Sequence, residues 1–449
     1  MASAVEYLAK NFSFSSLKKS KDLKKRIWFT LGVLVVYRLG TFIPLPNINP
    51  AVIAEFTRNH ASGLFGILDM FSGGAMGRMT VFSLNIMPYI SSSIIVQLLT
   101  SMSPQLEALK KEGESGRRKI NQYTRYGAVG LALAQGYGIA IGLERMVGQS
   151  GSAVLDPGFL FRFTTMTSLT GGTLFIMWLG EQISSRGLGN GSSIIIYAGI
   201  IANLPAALFN TFAMGKQGAI SVMAMLFLLI MVIGIILFIV FMEKANRRIP
   251  IQYPKRQVSI NMPAQGKSSY LPLKLNSAGV IPPIFASSVL LLPMTIAGFG
   301  NVDPNSIFGK ISRVISHGQP LYMVLFSAAI IFFAFFYTAL MFNPKETADN
   351  LKKGGSYIPG IRPGAATADY IETILERLTL IGAIYLCCIC LIPEILLSQV
   401  SLPFYFGGTS LLIVVNVSID TMSQFQSHMM AQEYDKLFKK NRMKGLITK

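Results

Sequence analysis

Hydrophobic and polar positions along the chain are not interleaved: long apolar runs are separated by polar, mostly basic stretches. About ten runs reach the roughly 20 residues that a helix needs to cross a hydrocarbon core. They cover approximately 27–43, 79–102, 123–143, 161–179, 191–212, 219–242, 276–299, 321–342, 374–395 and 405–422. Strands of a membrane barrel would instead alternate over about ten residues. The pattern therefore predicts an all-α integral membrane protein with about ten transmembrane helices. One further apolar stretch is too short to cross: Gly63-Leu64-Phe65-Gly66-Ile67-Leu68-Asp69-Met70-Phe71-Ser72-Gly73-Gly74. Apolar segments of about 10 to 14 residues are re-entrant, interfacial or packed inside protein. Its glycines would let a short helix move between hinges, and an ordinary interfacial helix outside the membrane fits the pattern equally.

Composition narrows the class. Of 449 residues, 51% are hydrophobic and 14% charged, against about 25% charged in soluble domains. Disorder is excluded by the apolar content, and three cysteines cannot staple a chain of this length. The net charge of +19 would suit a nucleic-acid binder, but the hydropathy does not, so the basic residues belong in loops. Ten spans put both termini on one side, where 32 of the 40 Lys and Arg residues fall; 7 lie opposite, and Arg38 lies inside the first run. The positive-inside bias makes both termini cytoplasmic. The basic stretch 1–26 precedes an apolar run, as in a signal peptide. It is long, however, no small-residue cleavage site follows, and Pro44, Pro46 and Pro50 lead into a polar loop. The first run is read as a retained span. No repeat with a period of about 20 to 50 residues is present.

Two cytoplasmic loops, 243–275 and 343–370, exceed the usual connection length, and long loops are often functional. Their basic residues suit a large acidic or RNA-containing partner. Enzyme chemistry is not legible. The stretch Asn261 to Ser268 looks like the end of a phosphate loop but lacks its first glycine and its strand–loop–helix context. Gly187-Leu188-Gly189-Asn190-Gly191 reads as a connecting turn between spans. His60, His317 and His428 are scattered, which gives no metal-ligand spacing. Cys387, Cys388 and Cys390 read as buried small hydrophobes, and no nucleophile-elbow motif occurs. No cofactor is expected. Acidic or histidine residues at the bilayer midplane, the usual mark of ion coupling, are nearly absent. Arg38, Glu394 and Asp420 lie towards run ends, where snorkelling or interfacial pairing is expected. A solute transporter built from inverted repeats and a passive assembly scaffold are the other function classes.

Several long strings carry a family resemblance. They are FSGGA at Phe71, IMPYIS at Ile86, EGESGRRKINQYTRYG at Glu112, LGEQI at Leu179 and GLGNG at Gly187. Further along stand LPLKLNSAGVIPPIFASS at Leu271, FFYTALMFNPKETADNLKKGGSYIPGIRPG at Phe335 and PFYFGGTSLLIVV at Pro403. On these the chain resembles the SecY family, channel subunits of the bacterial protein translocase. The resemblance implies two pseudo-symmetric halves of five helices around a central pore, at 27–212 and 213–422, with cytoplasmic tails at 1–26 and 423–449. It implies a pore ring of Ile86, Ile90, Ser192, Ile196, Ile284 and Ile413, with Ser192 standing where the family usually has an aliphatic residue. An apolar constriction is hard to wet and so resists ions.

The same resemblance makes 63–74 a plug that blocks the outer funnel at rest. It implies a lateral gate with Ser91, Ser92, Ser93, Gln97, Asn276, Ser287 and Ser288 on its seam, although such small residues also simply let helices pack closely. It implies no bond chemistry in the pore. The expected partners are the SecE and SecG subunits, the SecA ATPase, the ribosome, unfolded precursor proteins with their signal sequences, and membrane lipid. Docking is expected at Arg362 first, with Lys255, Arg256, Lys352 and Lys353. The tail 432–440 carries Tyr434, Leu437 and Phe438 spaced as one helix face. The resulting expectation is a protein-conducting pore in the bacterial inner membrane that passes unfolded chains outward and releases apolar segments sideways into lipid.

Overall fold

A computed structural model describes residues 21–59, 64–148, 151–216, 222–252, 269–299, 319–399 and 407–447. In chain order the helices are α1 (Lys21–Gly40), α2 (Pro50–Asn59), α3 (Leu64–Ser72), α4 (Met87–Met102), α5 (Pro104–Lys111), α6 (Glu114–Glu144), α7 (Phe159–Arg186), α8 (Gly191–Lys216) and α9 (Val222–Lys244). They continue with α10 (Ile281–Phe299), α11 (Pro320–Met341), α12 (Pro344–Lys353), α13 (Ala365–Gln399) and α14 (Gly408–Ile447). Two short antiparallel ribbons interrupt them: β1 (Val147–Gly148) with β2 (Gly151–Ser152), and β3 (Asn246–Ile251) with β4 (Ser269–Lys274).

Each expected apolar run falls on a helix, with shifted ends. The second run begins late, because residues 79–86 form turns and α4 starts only at Met87. Among the described residues, four helices are long and apolar enough to cross a membrane: Glu114–Glu144, Met225–Lys244, Pro320–Lys353 and Ala365–Pro393. The pair Phe159–Arg186 and Gly191–Ala206, bent by 115°, makes up to a fifth. Length and polar content set several of the other helices apart, as in α1, which carries Lys21, Asp22, Lys24, Lys25, Arg26 and Arg38. The 16-residue α4 carries three consecutive serines and Gln97, and the apolar start of α14 gives way to polar sequence after Val417.

Two compact units emerge. One gathers the described residues within Met1–Ser92, Thr124–Ala207 and Val417–Lys449; the other gathers those within Ser93–Tyr123 and Leu208–Asn416. They differ from two consecutive halves of the chain because Ser93–Tyr123 falls in the second unit and the later part of α14, from Val417, in the first. There Gln424 Oε1 accepts from the Gly189 amide (2.9 Å) and the Ser418 hydroxyl donates to Tyr197 Oη (3.4 Å).

Within the first unit the glycine-rich turn between α7 and α8 is tight for a steric reason. A Cβ on Gly191 would fall 1.8 Å from the Gly180 carbonyl oxygen, so only glycine closes the bend. Thr30 Oγ1 of α1 accepts from the Leu188 amide (3.2 Å), and Arg26 donates to the Gly187 carbonyl (3.3 Å). Within the second unit, Phe285 of α10 meets Phe333 and Tyr337 of α11 edge-on, at 5.7 and 6.3 Å between ring centres. Cys387 and Cys390 are buried as expected, but Cys388 is exposed; adjacent positions on a helix point about 100° apart, so one of the three is turned away from the core.

Candidate functional site

The short apolar stretch is a helix, α3, and it is seated in the first unit. Gly63 and the placement of the Leu64, Phe65, Ile67 and Leu68 side chains lie outside the described residues. At its C-terminal end the backbone turns through Gly73 (φ 69°) and Gly74 (φ 85°), the left-handed region that favours glycine. A Cβ on Gly73 would lie 2.9 Å from Gly199 Cα of α8, so the two backbones touch where neither has a side chain.

A helix leaves its last four carbonyls without partners of its own. Here the Met70 and Asp69 carbonyls accept from the Gly73 and Gly74 amides (3.3 and 2.9 Å), and side chains from other elements meet Asp69, Phe71, Ser72 and the Gly73 carbonyl just beyond. Arg38 Nη1 of α1 donates to the Gly73 carbonyl (2.6 Å), Tyr37 Oη to Ser72 (3.3 Å), Asn85 Nδ2 to Phe71 (2.6 Å) and Asn203 Nδ2 of α8 to Asp69 (3.4 Å). The Arg38 cation also sits at the negative end of the α3 dipole. It lies over the Phe42 ring at 5.3 Å, and Arg78 lies over the same ring at 4.2 Å. Arg38 thus caps a helix, where its place near a run end predicts snorkelling or interfacial pairing. Asp69 Oδ1 accepts from the Gly77 amide (2.5 Å). Burial pushes the Asp69 carboxyl above its ordinary value, against the opposing pull of that amide and of Arg78.

The expected ring positions divide between the units. In the first, Ile86 is 1% exposed, with its Cδ1 3.6 Å from where a Gly180 Cβ would stand; Ile196 is buried, and Ile90 is half-buried. Ile86 precedes α4, but Ile90 N donates to its carbonyl (3.1 Å), so the two share one helical turn. Ser192 is half-buried, and its hydroxyl donates to Asn190 Oδ1 (2.8 Å), which satisfies it within its own turn. In the second unit Ile413 is buried and Ile284 half-buried.

The seam residues make these bonds. Ser92 donates to the Thr124 carbonyl (2.7 Å), where Gly127 leaves room for the hydroxyl. Gln97 donates to Ser93 (3.1 Å). Ser287 and Ser288 both bond back to the Ile284 carbonyl (2.9 and 2.8 Å), a local pattern along one helix. Asn276 donates to buried Glu243 of α9 (2.7 Å) and brackets the turn to Gly279. Ser91 is buried.

The two long basic loops are not separate. Gln252, at the end of β3, exchanges both backbone bonds with Tyr357 of the second loop (2.9 and 3.0 Å). Ile249 and Leu273 of the ribbon, Ile358, and Ile371, Ile374, Leu375 and Leu378 of α13 close one buried core. Asn343 caps α12 by accepting from the Lys345 and Glu346 amides. Arg362 is exposed at a tip between Gly360 (φ 84°) and Gly364 (φ 115°), and Lys352 and Lys353 are exposed in the last turn of α12. Lys255 and Arg256 lie outside the described residues.

A family model described as SecY matches residues 80–422. A relative described as protein translocase subunit SecY, from Escherichia coli strain K12, is 52% identical over 425 residues, covering 94% of this chain and 96% of that one. The chain belongs to the SecY family. A further relative of the same description from Vibrio cholerae is 51% identical, covering 94% and 96%, and one from Rickettsia felis is 49% identical, covering 98% and 100%. The fold matches that of solved channels: a protein conducting channel at TM-score 0.65 and 17% identity, covering 91% of this chain and 93% of that one. Sec61 in the canine ribosome-channel complex aligns at TM-score 0.62, with 17% identity and the same coverage. The chain is thus a membrane protein of the SecY fold.

Four polar residues of the α3 seat carry no signal in the motifs. Tyr37, Asn85 and Asn203 stand unmarked and Arg38 reads as peripheral, although an asparagine in the apolar run of α8 is itself a signal. The ribbon β3–β4 is equally hidden, because its alternation is short and Pro250 and Pro272 interrupt it.

Proposed function

We propose that the protein is the pore-forming subunit of a channel that moves unfolded secretory polypeptides across the bacterial inner membrane and releases apolar segments into lipid. Ten membrane helices in two halves surround the pore, and both termini are cytoplasmic. Ile86, Ile90, Ser192, Ile196, Ile284 and Ile413 form its constriction. Aliphatic side chains there resist wetting, which hinders ions, and they deform around a passing chain of any sequence. Helix α3 is the plug, and α4 with α10 and α11 forms the lateral gate. SecE and SecG complete the channel, while SecA and the ribosome dock on the platform around Arg362, Lys352 and Lys353, and Lys255 and Arg256 are further contacts. The pore performs no bond chemistry of its own.

The observation that carries this reading is a nine-residue apolar helix seated on the backbone of α8 in a chain of the SecY family. The test is photocrosslinking from Ile413 to a labelled secretory precursor arrested midway through export, in membranes containing the partner subunits. Crosslinks that require SecA and ATP are expected. Their absence, with crosslinks from exposed Phe238 used as a lipid-side control, overturns the pore assignment.

A further inference from the structure

We infer that Arg38, Asn85 and Asn203 form a latch on α3, so that the resting position of the plug is set by the wall around it. The inference rests on the reading of 64–74 as the plug.

The direction of the bonds is the first argument. Every one of these wall groups is a side-chain donor, and every acceptor is a backbone carbonyl of Asp69, Phe71 or Gly73. The grip is therefore independent of which side chains the plug presents. Dedication of the wall groups is the second. Asn85 is 2% exposed, and its Oδ1 meets no hydrogen-bond partner among the described residues, so the described bond of this buried amide is the one to Phe71. Arg38 supplies a charge-assisted bond, stronger than a neutral one, and does so at the end of α3 where a cation is favoured. Fit is the third: Gly199 faces Gly73 with no side chain between, so Asn203, one turn further along α8, reaches α3 without slack.

Such a latch is also easy to release. Donors and carbonyls parted in a wet funnel exchange each other for water, so the net change per bond is small. The apolar cost of release is confined to the few buried side chains at this end of α3, Met70 and Phe71 among the described ones.

The experiment is resting ion conductance of the full chain reconstituted with its partner subunits in planar bilayers. Arg38→Met is expected to raise the resting open fraction about tenfold or more, the size of one charge-assisted bond lost. Arg38→Lys is expected to recover most of the closure. Asn203→Ala is expected to raise the open fraction about threefold. It tests the latch on its own if Arg38→Met fails to insert, which trypsin resistance of the membrane-embedded chain reports. A chain lacking 64–72 is the reference. If that deletion conducts at rest while Arg38→Met and Asn203→Ala stay as closed as the wild type, the latch is wrong and the plug stands. If the deletion itself stays closed, the plug reading falls and the latch with it.

Discussion

At the seat of α3 polar side chains of the wall hold backbone carbonyls beside buried Met70 and Phe71, whereas the platform behind Arg362 is closed by seven buried aliphatic side chains. The two regions face opposite demands. An element that must leave and return is best held by bonds that water can replace at small net cost. A surface that must bear load from a partner is best built on apolar burial, where loosening any part exposes area to water. Each region carries a few specific side chains at its edge, and those of the platform stand over a continuous aliphatic core.

The sharpest way to break this comparison is Ile371→Ala, which empties a fully buried position of the platform core. It should cost about 2–5 kcal/mol locally. Limited proteolysis is expected to cut the ribbon β3–β4 and the segment near Tyr357 while resting ion conductance stays at the wild-type level. A rise in conductance would mean that platform and plug seat are coupled rather than independent.

The reciprocal change is Gly73→Ala. A left-handed alanine costs about 1–2 kcal/mol, and its Cβ would press on Gly199 at 2.9 Å. Resting conductance should rise about tenfold, with the proteolysis pattern of the platform unchanged.

The smallest expected effect is a pH dependence at Asp69. Its carboxyl titrates above the ordinary value in the seated plug because of burial, so seating takes up a proton. By linkage the seated state gains stability as pH falls through that raised value and loses it as pH rises. Resting conductance should therefore decline from neutral to mildly acidic pH. Asp69→Asn should flatten the profile. A conductance that increases on acidification would reverse the sign and overturn the assignment.

Much of the architecture is legible in hydropathy, because a membrane helix has to announce itself by an unbroken apolar run. The placement of all ten runs on helices follows from that. Helix α3 is legible as an apolar segment of the wrong length flanked by glycines. What escapes are pairings between distant segments. Asn85 lies in turns, and Asn203 lies 118 residues further along, yet both serve one helix end. Nothing in a local pattern marks two donors as sharing a target. The platform escapes for the same reason: Ile249 and Ile371 belong to different segments, and only the backbone exchange between Gln252 and Tyr357 brings them into one core. Ser192 shows the converse, a polar residue in an expected aliphatic place whose hydroxyl finds its partner two residues away, at Asn190.

Helix α8 carries two kinds of position in one line. Ser192, Ile196, Gly199 and Asn203 lie within about 60° of arc, along roughly 16 Å of a single hydrogen-bonded rod. The first two belong to the proposed constriction, and the last two are where the plug is seated. A rod cannot be pushed aside at one end and left undisturbed at the other. On the proposed function, a polypeptide that shoulders past Ser192 and Ile196 would also shift Gly199 and Asn203, so the seat of α3 would loosen before the chain reaches it.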